Sequence, residues 1–130
     1  MRLVFLLFAD SAEFTESNKL NLQGAGFQTV LAPGFPVVLH RLVIVCRVEG
    51  RTTELGRHVL TVLMVGPDGE LIRGPFDLPF VLTRHDLFPY RPVAYTEILE
   101  VDVVFPGPGD YAAHVLVDEI SLGSEPLYVR

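Results

Sequence analysis

The chain has no tryptophan, a single cysteine, a single lysine and no long apolar run, and each shortage narrows what it can be. With Cys46 alone, an internal disulfide and a cysteine-rich metal site are both excluded. Nothing in the sequence then depends on an oxidising compartment, and a reducing cytoplasm is the expected setting. The run Leu3 to Phe8 ends at once in the acids Asp10, Glu13 and Glu16. It falls short of the about 7 to 15 apolar residues of a secretory core and the about 20 of a membrane span, so it reads as a first strand and no membrane partner is expected. Positive charge is scarce as well. Ten Lys and Arg stand against sixteen Asp and Glu, a formal charge of −6, the wrong sign for a surface that neutralises phosphates, and nucleic acid is not expected as a partner.

Helical periodicity is also missing. No segment sustains apolar residues at i, i+3, i+4 and i+7 over three turns, whereas period-two alternation and β-branched runs recur, so the chain is expected to be all-β. Strands are expected at Leu3 to Phe8, Asn18 to Gln23, Phe27 to Leu31 and Val37 to Val48. In the last of these Leu42, Ile44, Cys46 and Val48 share one face, and Val43 and Val45 lie on the other with Arg41 and Arg47. Val59 to Val65 leads through Gly66-Pro67-Asp68-Gly69, a type I turn with a glycine bulge, into Glu70 to Arg73 as a hairpin. Prolines punctuate Gly74 to Pro92, which reads as an irregular connection with Leu78 to Leu82 as a short edge strand. Glu97 to Phe105 alternates again, Tyr111 to Val117 follows, and a last hairpin through Ser121 to Glu125 returns along Leu127 to Val129. At 130 residues and this strand spacing, the expectation is one domain over residues 1–130, a two-sheet antiparallel sandwich of seven to nine strands.

Two segments carry resemblances. Phe105-Pro-Gly-Pro-Gly-Asp-Tyr111 is similar to the Pro-Gly-x-Tyr entry to the sixth strand of immunoglobulin-like and fibronectin-like domains, which implies that Tyr111 is structural, its hydroxyl tying back to the backbone as a tyrosine corner. The lack of Trp and of a cysteine pair departs from antibody-type domains. Combined with the head segment Phe8 to Phe27, this tail resembles a family of short bacterial β-sandwich proteins of unknown function. That resemblance implies a stand-alone sandwich in a bacterial cytoplasm with no assigned catalytic residues.

Side chains that could carry chemistry are few. The four histidines, His40, His58, His85 and His114, lack the i, i+2 or i, i+4 pairing that puts two ligands on one cation. No metal site and no cofactor are expected. His85 and Asp86 are adjacent and point oppositely on an extended chain. Asp10, Glu13 and Glu16 read as a solvated turn, and Cys46 as a small hydrophobe. Glu100, Asp102 and His114 form the most enzyme-like trio, if the strands that carry them are neighbours, but a polar outer sheet face accounts for them better. The chain is expected not to be an enzyme.

The stretch Thr83 to Tyr95 carries Arg84, His85, Phe88, Tyr90, Arg91 and Tyr95 between prolines. Aromatic and arginine enrichment marks the energetic centres of protein interfaces, although the same aromatics could fold back and cap the core. A second hint is apolar residues on outer faces, Val43, Val45, Ile98 and Leu116. They call for a cover, which a second copy would supply and irregular segments of the same chain would supply equally. The expected function is a protein–protein interaction module that forms a homo-oligomer and has an unidentified protein partner. The alternative is a small-ligand or carbohydrate-binding sandwich stacking a sugar on Phe88, Tyr90 or Tyr95, and a hydrolase-like enzyme built on the trio ranks behind both.

Overall fold

The computed structural model describes residues 1–130. The chain is all-β, with ten strands rather than seven to nine. In order they are β1 (Arg2–Ala9), β2 (Ser11–Phe14), β3 (Leu20–Gln23), β4 (Thr29–Val30), β5 (Val37–Gly50), β6 (Gly56–Val65), β7 (Leu71–Leu82), β8 (Val93–Phe105), β9 (Gly109–Val117) and β10 (Ile120–Val129), with one 3-10 turn at Thr52–Glu54. A three-stranded sheet runs β1-β5-β8, a five-stranded sheet runs β4-β10-β9-β6-β7, and β2 and β3 form a separate hairpin. All pairings are antiparallel except the two-residue pairing of β4 with β10.

Alternation produces the core. Leu42, Ile44, Cys46 and Val48 of β5 and Val101, Val103 and Phe105 of β8 meet Leu60, Val62 and Met64 of β6 and Tyr111, Ala113, Val115 and Val117 of β9 in one buried cluster between the two sheets. Each fully buried Leu or Phe contributes about 1.5–3 kcal/mol of transfer free energy. Tyr111 makes the tie that the resemblance implies. Its hydroxyl donates to the Gly107 carbonyl at 2.7 Å, and its ring meets Phe105 edge-on at 4.8 Å between centroids.

On the outer face of the three-stranded sheet the cover comes from the same chain, the second of the two that the sequence leaves open. Val43, Val45 and Ala9 are buried, and the residues packed on them include Ala12, Leu20 and Leu22 of the β2–β3 hairpin, with Ile98 alongside. The chain therefore covers its own greasy face. Ser11–Phe14 escapes a sequence reading because four residues flanked by acids make a weak strand signal, while Asn18 turns the hairpin with φ 60 and leaves the strand to begin at Leu20.

Further boundaries differ: the strand expected at Phe27 to Leu31 shrinks to Thr29–Val30, and β8 starts at Val93 rather than at Glu97. β7 does not break at Arg73 but runs through Pro75 and Pro79 to Leu82, so only 83–92 is irregular. Proline is tolerated because β7 is an edge strand, where a missing N–H on the free side breaks no ladder bond. The last hairpin turns at Asp118 and Glu119, both with positive φ, 50 and 69, and not at Ser121 to Glu125. Positive φ at both central residues fits a type I′ turn, which usually recruits Asn-Gly or Asp-Gly. Here Asp118 is compensated: its Oδ1 accepts the Val59 N–H at 2.9 Å and its own N–H donates to the Val59 carbonyl at 2.9 Å.

Candidate functional site

The register places the start of β1, the end of β5, the start of β6, the end of β7, the start of β8 and the β9–β10 turn at one end of the sandwich. A row of stacked rings closes the gap between the sheets there. Phe80 of β7 lies between His58 of β6, at 5.5 Å between centroids, and Tyr95 of β8, at 4.5 Å with the planes 13° apart. Offset or parallel stacking of this kind adds about 0.5–1.5 kcal/mol per pair beyond area burial. Both stems of the 83–92 loop are thereby fixed.

His58 is held at both nitrogens. Nδ1 lies 2.6 Å from Asp118 Oδ2 and Nε2 2.5 Å from the Glu54 carbonyl oxygen. Both partners only accept, so the imidazolium, with two N–H groups, satisfies the geometry better than either neutral tautomer. The bond to Asp118 pulls the His58 pKa above its ordinary value, and the same bond, with the Val59 N–H, holds Asp118 below the usual carboxylate range. Glu54 is lowered too, by the Arg51 N–H and by the Met1 ammonium 2.8 Å away. Sequence reasoning passed over His58 because its carboxylate lies sixty residues downstream.

The loop itself divides the six residues singled out from the sequence. Arg84, His85, Phe88, Tyr90 and Arg91 stand on it, whereas Tyr95 belongs to β8. Phe88 and Tyr90 do not fold back on the core: they are 45% and 92% exposed, and Leu87, which the aromatic and arginine signal missed, is 78% exposed. His85 Nδ1 accepts the N–H groups of Leu87 and Phe88 at 3.1 and 3.2 Å, turning the loop tip. The Arg91 guanidinium lies 4.1 Å from the centre of the Phe88 ring, a cation–π contact worth about 0.5–1 kcal/mol when exposed. Neither Arg84 nor Arg91 has a carboxylate within 4.0 Å.

Tyr95 serves a different place. Its hydroxyl donates to the Glu97 carboxylate, and burial together with that bond pushes its pKa up. Cys46 lies opposite Glu97 in the register, and burial, reinforced by the Glu97 charge, pushes its thiol up to about 12. At neutral pH it is an unreactive packing residue. Tyr95 and Glu97 line a groove of about 700 Å³ between β8 and the β2–β3 hairpin.

The enzyme-like trio does not assemble. Glu100 and Asp102 project from the outer face of the three-stranded sheet, where Arg41 meets both through Nη2 to Glu100 at 3.7 Å and its main-chain N–H to Asp102 at 2.9 Å. His114 sits on β9 of the other sheet, alternating with the inward Ala113 and Val115, and so faces away on the opposite side of the sandwich. Nor do any three His, Cys, Asp or Glu side chains converge on a point that could hold a cation. No helix is long and apolar enough to cross a membrane.

Comparison with curated proteins yields no match. Residues 4–130 match the family of unknown function DUF6941, which is nearly the whole chain, and the protein belongs to that family.

Proposed function

We propose that the chain is a non-enzymatic interaction module that presents the 83–92 loop to a protein partner. The observation that carries this reading is an exposed apolar tip, Leu87, Phe88 and Tyr90, on a loop stiffened by the His85 cap, the Arg91 stack and Pro89 and Pro92. Large side chains left in water yet held in place lose little entropy on binding, and Tyr and Arg are the residues that anchor interfaces. The sandwich is immunoglobulin-like in our reading, on the strength of the Tyr111 corner, and it works in a bacterial cytoplasm. Self-association belongs to the same reading but on a smaller patch. Val38 and Val104, opposite one another on β5 and β8, remain exposed beyond the hairpin.

The test is a paired affinity capture from the native cell with the wild-type chain and with a Leu87→Ala, Tyr90→Ala variant. A partner retained by the first and reduced at least about tenfold by the second is expected, since two anchors contribute about 1–2 kcal/mol each. Equal capture by both, with sedimentation showing both folded, overturns the loop as the docking surface.

A small-ligand or carbohydrate-binding sandwich is the second reading, favoured by the groove beside Tyr95. It is the weaker one because the Tyr95 ring is taken up by Phe80 and the Phe88 ring is shared between Arg91 and His85, which leaves Tyr90 as the most open loop ring to stack on a sugar.

A further inference from the structure

The three-stranded sheet ends on β8, which pairs with β5 on one side and with no strand on the other. Such an edge offers its N–H and C=O groups to any extended chain unless something blunts it. The five-stranded sheet's edge on β7 is blunted by Pro75 and Pro79, whereas Val93–Phe105 contains neither proline nor glycine. The direction of the free groups can be read from Arg73. Its Nε donates to the Asp102 carbonyl at 3.0 Å from β7, so that carbonyl points away from β5 onto the open edge. Alternation in an antiparallel strand then puts the N–H and C=O groups of Ile98, Thr96 and Ala94 on the same edge. Arg73 occupies the far part of this edge. Along the near part, Ala94 to Ile98, runs the groove of about 700 Å³, walled by Glu13 and Phe14 at the hairpin and by Arg47.

We propose that this groove receives an extended peptide of alternating basic and apolar residues from another protein, added beside β8 as a further strand of the three-stranded sheet. The alternation follows from the two faces the added strand would meet. Toward the outside stand Ile98 and Phe14, the latter 46% exposed, which suit an apolar side chain. Toward the inside stands the Glu97 carboxylate, which accepts a bond from Tyr95 through one of its two oxygens and suits a Lys or Arg. A second copy fits less well: β8 carries Glu97, Glu100 and Asp102 and no basic residue, so two β8 strands side by side would set carboxylates against carboxylates. The proposal rests on the β8 edge alone and stands whether or not the loop binds.

The experiment titrates the full chain with three short peptides: alternating Lys and Val, alternating Glu and Val, and the Lys-Val peptide with its main-chain nitrogens methylated. Binding is read by fluorescence anisotropy and amide exchange by NMR. The Lys-Val peptide is expected to bind and to slow exchange at Thr96 and Ile98. The other two should bind at least about tenfold more weakly, and Glu97→Gln should weaken the Lys-Val peptide by about tenfold while leaving the far-ultraviolet spectrum unchanged. Equal binding of the acidic or methylated peptide overturns the proposal, as does the absence of Lys-Val binding or slowed exchange elsewhere than on β8. If Thr96 and Ile98 become protected with rising protein concentration alone, a second copy holds the edge and the proposal also falls.

Discussion

Both nitrogens of His58 face oxygens that can only accept, and this gives the fold a dependence on pH whose sign can be worked out. Because the His58 pKa is raised from 6.5, its contribution to stability is fully present below that value and fades as pH rises through the higher folded one. Asp118 and Glu54 are lowered from 3.8 and 4.5, so theirs are present above those values and are lost as pH falls through the lower folded ones. The melting temperature should therefore be highest between about pH 4.5 and 6.5 and decline above it. His58→Gln should lower the plateau and flatten the alkaline decline, and melting curves that stay parallel across this range would contradict the role given to His58. Asp118 and Glu119 supply a second test at this scale. Glu119→Gly relieves a left-handed residue in a two-residue turn and should raise stability by up to about 1 kcal/mol in urea unfolding. A loss would mean that the Glu119 side chain is needed there. None of this was legible in the sequence. Asp118 lacks the glycine that usually announces such a turn, and His58 owes its state to a carboxylate on a distant strand. Tyr111 was legible, because the Pro-Gly turn that places it is contiguous with it.

At the scale of elements, the strands whose signal is local were readable and those defined by their neighbours were not. Leu42, Ile44, Cys46 and Val48 alternate into the core as their spacing requires, since the pleat leaves them no other face. Val43 and Val45 are equally apolar, but their cover comes from Ser11–Phe14 and Leu20–Gln23, short segments of ordinary composition that gain order by packing on β5. In β7 the edge position was legible, since Leu78 to Leu82 read as an edge strand, but the prolines around Gly74 read as breaks because sequence alone does not show that the strand runs on through them to its partner β6. The hairpin is then the element whose removal should matter most to self-association. Leu20→Asp with Leu22→Asp should lift it, exposing Ala9, Val43 and Val45, so that the variant binds a hydrophobic dye and sediments as a larger species. If it remains a dye-free particle of wild-type size, the hairpin is not what shields that face.

Over the whole molecule, the chain spends its apolar residues on its own interior and on a hairpin cover, and leaves a stiff aromatic loop in water at one end. The stack His58–Phe80–Tyr95 ties the two sheets together beneath that loop, so the tip projects from a fixed base. The sequence marked the region through its arginines and aromatics, yet it could not divide Tyr95, which packs inward, from Tyr90, which does not, because both stand among prolines and differ only in which side of Val93 they fall. Photo-crosslinking in the native cell tests the loop most directly, with a photoreactive phenylalanine analogue placed at Tyr90 or, as a control at the other end of the sandwich, at Leu31, which is 80% exposed. Adducts to one recurring protein from position 90, and none to it from position 31, are the expected result. The same adducts from both positions, or none from position 90 in a chain that folds normally, would contradict the loop as the surface by which this protein acts.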